Sequence, residues 1–384
     1  MLKSREYTSR KLRAFVALMT TAVLVAAFAS TAQALPARFW GASPQGALNL
    51  EQYERLSRGG VESIRLPIGW SNVQLHRNGS FDWSGIDGQV EAASKAGIDV
   101  LPFLAGAPAW AIPAAPVPGS GGSVEAPSRL PVSGTARLGW IDFVTAAVVR
   151  YGPNGAFWAE HPAVPVRPFR TWQVWNEPNF KYFIRTPNPA EYGKLVSISS
   201  TALKAADPGA KVILAGMFAR PAGSRTASGK HKSLNWFASD FLAQMYKRTP
   251  GIRSKFNGVA LHPYTGTYKL LPPEIEEFRK VLALNHDAAK GLWITELGWS
   301  SGPPQSDGSN SFAKGPAGQA EQLRKSFTVL TSHQAAWRLQ RLYWFSVDDQ
   351  ADSCNFCDGS GLFGKGFKPK KSWYEYVKFA GGTP

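Results

Sequence analysis

Short, apolar, β-rich runs alternate with amphipathic helical stretches along most of the chain, and this alternation limits the fold more than any other feature. It predicts βα units that build a parallel sheet. Eight runs are predicted to be strands: Arg38–Gly41, Glu62–Pro67, Ile98–Leu104, Thr171–Asn176, Lys211–Gly216, Asn257–His262, Leu292–Leu297 and Arg341–Ser346. Helices are predicted between them, including Leu138–Arg150, Ala190–Ala206, Leu234–Tyr246, Glu274–Ala288 and Ala320–Gln334. Eight βα pairs predict an α/β fold with a single closed (β/α)8 barrel, the TIM barrel.

A doubly wound open sheet also alternates strands with helices. Such a sheet usually has fewer strands and carries a glycine-rich phosphate-binding turn after the first one. No G-x-G-x-x-G pattern follows the first predicted strand. Two segments rich in Pro, Gly and Ser, Ile112–Thr135 and Ser300–Gly318, have strands of the same series on both sides. We therefore interpret both as extended βα loops at the barrel mouth rather than as linkers between domains.

The first 34 residues have the pattern of a secretory signal peptide. Five Lys and Arg residues between positions 3 and 13 precede the uncharged run Ala14–Ser30, and Ala32-Gln33-Ala34 follows as an A-x-A cleavage site. An uncleaved membrane anchor is the alternative, but this run of 17 residues is shorter than the roughly 20 that cross a bilayer. We expect cleavage after Ala34, a secreted, extracellular protein, and a catalytic barrel domain of residues 35–384.

The mature chain is expected to stay basic. The formal net charge is +16, and the signal segment carries four of these charges, which leaves +12. Lys and Arg are scattered, and the densest group is Lys365, Lys368, Lys370 and Lys371 at the predicted start of a C-terminal helix. This distribution favours solubility or loose attachment to an anionic cell wall over nucleic-acid binding. No second apolar run of 20 residues exists, so no stable membrane insertion is expected.

Polar and aromatic residues gather at the predicted carboxyl ends of the strands, where the chemistry of a (β/α)8 barrel takes place. They are Arg65 on strand two, Asn176 and Glu177 on strand four, His262 and Tyr264 on or after strand six, Glu296 on strand seven and Trp344 on strand eight. Cleavage of a glycosidic bond needs one carboxyl group as proton donor and a second carboxylate at the anomeric carbon. Glu177 and Glu296, each directly after an apolar run, fit this requirement.

Two motifs carry a resemblance to a known group of enzymes. Trp175-Asn176-Glu177-Pro178-Asn179 resembles the strand-four acid/base motif of clan A glycoside hydrolases, and Ile294-Thr295-Glu296-Leu297-Gly298-Trp299 resembles their strand-seven nucleophile motif. This (β/α)8 group contains cellulase-like and β-xylosidase/iduronidase-like families. The two motifs occur in the expected order, three βα units apart, and the resemblance extends from about Phe39 to the C-terminal helix.

The resemblance implies a role for each residue at the strand ends. Glu177 would be the general acid/base, Glu296 the nucleophile, and Asn176 a hydrogen-bond partner of the substrate 2-hydroxyl. Arg65 would hold the nucleophile ionised. The alternative for the two glutamates is a pair of structural ion pairs, and for Arg65 a barrel salt bridge, whose nearest plausible partner is Glu296 as well.

Three further residues match the group's pattern. His262 and Tyr264 resemble the strand-six pair that orients the catalytic carboxylates, and Trp344 resembles the strand-eight indole that lies under the sugar. His262 can instead be an ordinary satisfied polar residue, and Trp344 can simply fill the core. Leu104–Trp110 lacks the histidine found after strand three in cellulase-like members, which favours the xylosidase/iduronidase-like side.

Cys354 and Cys357 form a C-x-x-C pattern after the eighth strand. In an oxidising compartment this pattern favours a small disulfide loop. A zinc site would need two more soft ligands, and the histidines show no metal spacing. No metal and no cofactor are predicted.

The sequence thus predicts a secreted retaining glycoside hydrolase with a carbohydrate substrate and two carboxyl groups about 5 to 5.5 Å apart. An endo-acting cellulase- or mannanase-like enzyme is one alternative, to be distinguished by whether Ile112–Thr135 closes one end of the cleft. A catalytically silent glycan-binding barrel is the other, and the presence of both Glu177 and Glu296 argues against it.

Overall fold

Eight parallel strands close into a barrel in the computed structural model of the chain, which confirms the predicted fold class. The structure describes residues 34–384 except 121, 123, 223, 226–230, 306–310 and 351–356. Residues 36–384 form one compact unit. Residues 1–33 of the predicted signal peptide lie outside the described residues. Within the described part, no helix combines the length and the apolar character that a membrane crossing requires.

The strands, in chain order, are β1 Trp40–Ser43, β2 Ser63–Gly69, β3 Asp99–Ala105, β4 Ala114–Pro116, β5 Glu125–Pro127, β6 Thr171–Val174, β7 Lys211–Phe218, β8 Gly258–His262, β9 Gly291–Leu297, β10 Leu339–Phe345, β11 Phe363–Gly364 and β12 Lys368–Pro369. Around the barrel their order is β1, β2, β3, β6, β7, β8, β9 and β10, and β10 pairs with β1 to close it. These eight barrel strands correspond to the eight predicted ones, with bounds that differ by a few residues.

The helices are α1 Leu50–Arg58, α2 Trp70–Val73, α3 Ser84–Lys95, α4 Gly134–Tyr151, α5 Ala156–Glu160, α6 Pro189–Ala206, α7 Ala238–Arg248, α8 Leu271–Leu284, α9 Gly315–Ser332, α10 Gln334–Trp337 and α11 Lys371–Ala380. Single 3-10 turns lie at Ile252–Lys255, Tyr268–Leu270 and Cys357–Gly359. The five helices predicted from the sequence correspond to α4, α6, α7, α8 and α9.

Local sequence signals start and end several helices. Asn49 and Gln52 form a capping box at α1, in which each side chain accepts from the other's backbone N–H at 2.9 Å. Such a cap typically contributes about 1 kcal/mol to helix stability. Asn188 caps α6, and Pro189 follows as its first residue. Gly381 ends α11 in the left-handed region, with φ of 74°, where glycine has no steric penalty.

The barrel interior is filled with side chains. Leu101, Ile213 and Tyr343 are fully buried and pack together, with Trp293 against them. Gly41 of β1 makes room for this layer, because a Cβ there would lie 2.4 Å from Cδ1 of Tyr343. The interior is a packed core rather than a pore, as in other barrels of this size.

The C-terminal helix ties the end of the chain to its first strand. The Tyr376 hydroxyl of α11 donates to the carbonyl oxygen of Gly41 at 3.1 Å. Trp40 stacks on Phe327 of α9 with ring centroids 5.2 Å apart. Burial of aromatic side chains of this size stabilises the fold by about 2 kcal/mol each, so α11 and α9 hold the seam between β1 and β10.

The segment after β3 is an extended loop of the barrel, as predicted, and it contains the antiparallel hairpin β4–β5. This hairpin contacts the segment after β6. Arg185 donates from Nε to the carbonyl oxygen of Pro116 at 3.1 Å and from its backbone N–H to Pro127 at 3.0 Å. Lys181 Nζ donates to the carbonyl oxygen of Pro118 at 2.5 Å. The third and fourth βα loops therefore form one wall at the barrel mouth.

Candidate active site

Arg65 of β2 lies at the centre of the polar cluster at the mouth, with 1% of its surface exposed. Its guanidinium donates from Nη1 to Glu296 Oε1 at 2.5 Å, from Nη2 to Asn176 Oδ1 at 2.6 Å and from Nε to Gln173 Oε1 at 2.7 Å. The Phe103 ring lies 3.9 Å from its Cζ. A buried cation is tolerated only when it is paired and hydrogen-bonded, and Glu296 supplies the counter-charge.

Glu296, at the end of β9, has a donor on each carboxylate oxygen. Arg65 bonds Oε1, and the Tyr264 hydroxyl donates to Oε2 at 2.8 Å. Burial raises the pKa of Glu296 above its usual value, and the charge of Arg65 and the hydrogen bonds from Tyr264 and Arg65 offset part of this rise. Burial, reinforced by the negative charges of both glutamates, holds the pKa of Tyr264 well above its usual range, so the phenol stays a donor.

Glu177 follows β6 in a tight turn, with φ of 39° and its backbone N–H on the carbonyl oxygen of Gly216 at 3.1 Å. Its Oε1 lies 2.7 Å from His262 Nδ1. Burial raises the pKa of Glu177 well above its usual value, the charge of Glu296 raises it further, and only Arg65 opposes this. Of the two carboxyl groups, Glu177 is therefore the one that holds the proton.

His262, at the end of β8, is fully buried between the two carboxylates. Its Nδ1 lies 2.7 Å from Glu177 Oε1 and 3.5 Å from Glu296 Oε2, and its Nε2 lies 2.9 Å from Thr295 Oγ1. Burial and the charge of Arg65 lower the pKa of His262 well below its usual value. The imidazole is thus neutral at neutral pH, with one N–H and one acceptor nitrogen.

The structure brings six of the seven predicted strand-end residues into one cluster: Arg65, Asn176, Glu177, His262, Tyr264 and Glu296. One donor atom from each of Glu177, His262 and Glu296 lies within 4.8 Å of the others. Three such donors can hold a metal ion, but here Arg65 already places a positive charge 2.5 Å from Glu296 Oε1. The arrangement supplies a protonated carboxyl group and a paired carboxylate a few ångströms apart.

Trp344 is the predicted site residue that the structure places elsewhere. Its indole is fully buried, donates from Nε1 to the carbonyl oxygen of Ser360 at 3.1 Å and contacts Phe327 of α9. Side chains alternate between the two faces of a strand, and its neighbour Tyr343 fills the barrel interior. Trp344 therefore packs on the outer face of β10, and the expectation that its indole stacks under a sugar does not fit this placement.

Phe345 is the aromatic residue of β10 that faces the mouth. Its ring centroid lies 6.1 Å from that of Tyr264, in an edge-to-face arrangement. Both rings belong to a buried cluster with Cys357, against which Phe218 and Phe312 pack. This cluster lies beside Glu296, so the apolar wall next to the carboxylate comes from phenylalanine and tyrosine.

Of the two cysteines, Cys357 is buried in the 3-10 turn after β10 and is not a free thiol. Cys354 lies outside the described residues, so its pairing with Cys357 stays a prediction. Cys357 packs next to Tyr264 and Phe345, beside the polar cluster.

Gln173 and Thr295 are members of the polar cluster that sequence reasoning missed. Gln173 bonds Arg65 through Oε1, and its Nε2 lies 3.3 Å from Thr295 Oγ1. Both residues are fully buried. The available signal was a polar residue inside an apolar strand, since such a residue is buried only when it has hydrogen-bond partners.

Comparisons with known proteins identify the family and the fold of the chain. Residues 171–374, just over half of the chain, match the family model described as glycosyl hydrolase catalytic core. A search of the curated proteins finds no match. Many solved structures share the fold.

Three of these structures illustrate the likeness. A family 39 glycoside hydrolase from Bacteroides cellulosilyticus WH2 has a TM-score of 0.61 at 19% identity, over 90% of this chain and 64% of that one. A monomeric β-xylosidase from Caulobacter crescentus CB15 has a TM-score of 0.60 at 18% identity, over 90% and 68%. An intracellular xylanase from Thermoanaerobacterium saccharolyticum has a TM-score of 0.56 at 11% identity, over 88% and 95%. The chain thus spans about two thirds of the first two proteins and nearly all of the third.

Proposed function

Because the chain belongs to the glycosyl hydrolase catalytic core family, we propose that it hydrolyses glycosides with retention of anomeric configuration, using Glu177 as general acid/base and Glu296 as nucleophile. That it is a glycoside hydrolase on a clan A (β/α)8 barrel follows from the family match and the fold. The stereochemistry, the residue roles and the substrate are the parts proposed here.

The spacing of the two carboxyl groups carries the proposal. An oxygen of Glu177 lies within 4.8 Å of an oxygen of Glu296. Inverting glycosidases separate their carboxyl groups by about 6.5–9.5 Å to admit a water molecule, whereas retaining ones keep them about 5–5.5 Å apart. The short separation supports direct attack of Glu296 on the sugar.

The protonation states of the two glutamates support the proposed roles. In the first step Glu296 attacks the anomeric carbon as that carbon's bond to the leaving oxygen breaks, and Glu177 transfers its proton to this oxygen. In the second step Glu177, now ionised, takes a proton from water, whose oxygen displaces Glu296 from the same carbon. Arg65 and Tyr264 support Glu296 in its charged form as it attacks and as it leaves.

The position of the hairpin β4–β5 suggests which part of a sugar chain the enzyme cleaves. Through Arg185 and Lys181 it contacts the loop that carries Glu177, so a wall stands on that side of the mouth. A walled site favours removal of sugars from a chain end over cleavage in the middle of a polysaccharide. Two of the similar structures are described as β-xylosidases, which makes β-xylosides the first substrates to test.

The proposal is tested by following early hydrolysis of a panel of aryl glycosides and oligosaccharides with proton NMR. We expect turnover of at least one β-glycoside, β-xylosides first, and a first product with the configuration of the substrate. Initial appearance of the opposite anomer would overturn the retaining mechanism while leaving the fold intact. Binding without turnover on the whole panel would favour the silent glycan-binding barrel.

We also propose that the protein is secreted, since residues 1–34 have a signal-peptide pattern and a C-x-x-C pair suits an oxidising compartment. N-terminal sequencing of the protein from culture medium should begin at Leu35. Thiol titration of the denatured protein should find essentially no free thiol until a reductant is added. An intact N-terminus or two free thiols would contradict this part.

A further inference from the structure

A chain of buried hydrogen bonds joins the two glutamates through the barrel interior. It runs through Glu296, Arg65, Gln173, Thr295, His262 and Glu177, and Glu296 returns within 4.8 Å of Glu177. We propose that Gln173 and Thr295 are positioning residues that keep the ring proton of His262 on Nδ1 and so direct the acidic proton of Glu177 to its Oε2 atom. The catalytic consequence rests on the proposed function, whereas the position of the proton does not.

The direction of the hydrogen bonds is set at Arg65. A guanidinium can only donate, so the atom of Gln173 that lies 2.7 Å from Arg65 Nε is the amide oxygen. The other amide atom lies 3.1 Å from the carbonyl oxygen of Leu214, which can only accept. Both ends of the amide agree, and Gln173 Nε2 is therefore the donor to Thr295 Oγ1 at 3.3 Å.

The next step uses the single proton of the Thr295 hydroxyl. Among the described residues, Oγ1 has two side-chain partners, Gln173 Nε2 and His262 Nε2. If His262 Nε2 carried a proton, the hydroxyl would receive two donors and its own proton would have no acceptor in a fully buried site. Proteins avoid such unsatisfied buried groups. Thr295 thus donates to Nε2, and the neutral imidazole has its proton on Nδ1.

Gly216 of β7 closes this edge of the imidazole. A Cβ on Gly216 would lie 1.8 Å from His262 Nε2 and 2.5 Å from Thr295 Oγ1. The backbone of β7 is therefore packed directly against the contact between the two side chains. Little room is left for a water molecule that could take over the role of the threonine hydroxyl.

The tautomer of His262 determines which oxygen of Glu177 carries the acidic proton. With its proton on Nδ1, His262 donates to Glu177 Oε1 across 2.7 Å, so Oε1 acts as an acceptor. The proton that Glu177 delivers must then be on Oε2. In the other tautomer Nδ1 would accept a proton from Glu177, and the acid would point toward the histidine instead of a leaving group. The chain of hydrogen bonds thus selects the oxygen of Glu177 that serves as the acid.

The first experiment reads the tautomer of the full-length protein directly. Ring-¹⁵N-labelled histidine gives distinct NMR signals for protonated and unprotonated ring nitrogens, and the His262→Asn variant identifies those of His262. We expect a protonated Nδ1 and an unprotonated Nε2 from roughly pH 5 to 8, where an ordinary histidine titrates. A proton on Nε2 would overturn the inference. This readout needs no substrate, so it stands even if every glycoside in the panel is inert.

The second experiment uses Thr295→Val, which keeps the shape and removes the hydroxyl. We expect a detectable Nε2-protonated population and, on an alkyl glycoside with a poor leaving group, a fall in kcat of at least about tenfold. An activated nitrophenyl glycoside should change by less than about threefold, because it needs little proton donation. Thr295→Ser should restore both readouts.

Thr331→Val is the matched control, since that hydroxyl bonds the backbone of its own helix at Phe327 and Thr328. Melting curves check that each variant is folded. A pure Nδ1-protonated signal with unchanged alkyl-glycoside turnover in folded Thr295→Val would remove the role of Thr295. If that variant does not fold, the tautomer of the unmodified protein decides the question.

Discussion

The two glutamates at the barrel mouth have the same side chain and opposite surroundings. Glu296 is held by a permanent cation and a phenol, Arg65 and Tyr264. Glu177 faces a neutral imidazole in a site where burial and the negative charge of Glu296 raise its pKa. Burial raises the pKa of both groups, so the difference between them comes from the donors. Arg65 on β2 and Tyr264 after β8 therefore decide which glutamate keeps the proton.

The largest expected effect tests the Glu296 side. Glu296→Ala should lose turnover on every glycoside, activated or not, by at least about a hundredfold, or roughly 3 kcal/mol of barrier, because no nucleophile remains. Kinetics on a nitrophenyl and an alkyl glycoside measure this. Glu276→Ala, at an exposed position of α8, is the control. The assignment would be reversed if azide gave a β-glycosyl product with Glu296→Ala but not with Glu177→Ala.

Removal of the other carboxyl group should give a selective defect. Glu177→Ala should lose about a hundredfold or more on the alkyl glycoside, which needs the proton, and much less on the nitrophenyl glycoside. The glycosyl-enzyme should still form from the nitrophenyl glycoside. Added azide should restore turnover, because azide attacks without a general base. Steady-state rates with and without azide are the measurement. Full activity of this variant on an unactivated glycoside would refute the proposed role.

A substitution on the outer face of β10 should affect stability but not the protonation of either glutamate. Trp344→Phe removes the hydrogen bond to Ser360 and part of the contact with α9. We expect a loss of about 1–3 kcal/mol in the free energy of unfolding, measured by urea denaturation. The kcat per folded molecule and its pH profile should be those of the unmodified protein. A selective rise in KM for the sugar at unchanged stability would instead place the indole in the substrate site.

A shift of the pH profile sharpens the comparison between the two glutamates. The Tyr264 hydroxyl lowers the pKa of Glu296, and Glu296 must be ionised to attack, so activity is present above that pKa and lost as the pH falls through it. Tyr264→Phe should therefore move the acidic limb of kcat/KM to higher pH, with a fall of up to about tenfold at the optimum. The basic limb, which reports Glu177, should move less. An acidic limb that moves down would contradict the assignment.

Much of this site follows from sequence because its two carboxylates each follow a strand with a strong apolar pattern. Strand ends at one face of a barrel meet, so Arg65, Glu177 and Glu296 are brought together by topology alone. Their hydrogen-bond partners were harder to find. Gln173 and Thr295 lie inside strands, where only the burial of a polar side chain indicates a role.

Trp344 shows what the strand pattern alone leaves open. Two adjacent aromatic residues at the end of β10, Trp344 and Phe345, are equally apolar, and either can face the mouth. The choice is set by strand parity, and Tyr343 fixes it because its ring packs against Leu101 and Ile213. Which face each residue of a strand occupies depends on the register of that strand in the closed barrel. Composition and motif matching carry no information about this register.

The contact between Arg65 and Glu296 joins residues 231 positions apart in the chain, and this distance affects the order of folding. A growing chain that has reached Asn176 already contains Arg65 and Gln173, but not the anion that balances the guanidinium. Burial of that charge alone would cost several kcal/mol. Burial of Arg65 before β9 joins the barrel would leave an unpaired cation, so the pairing of charges on which the proposed chemistry depends becomes possible only when β9 is in place.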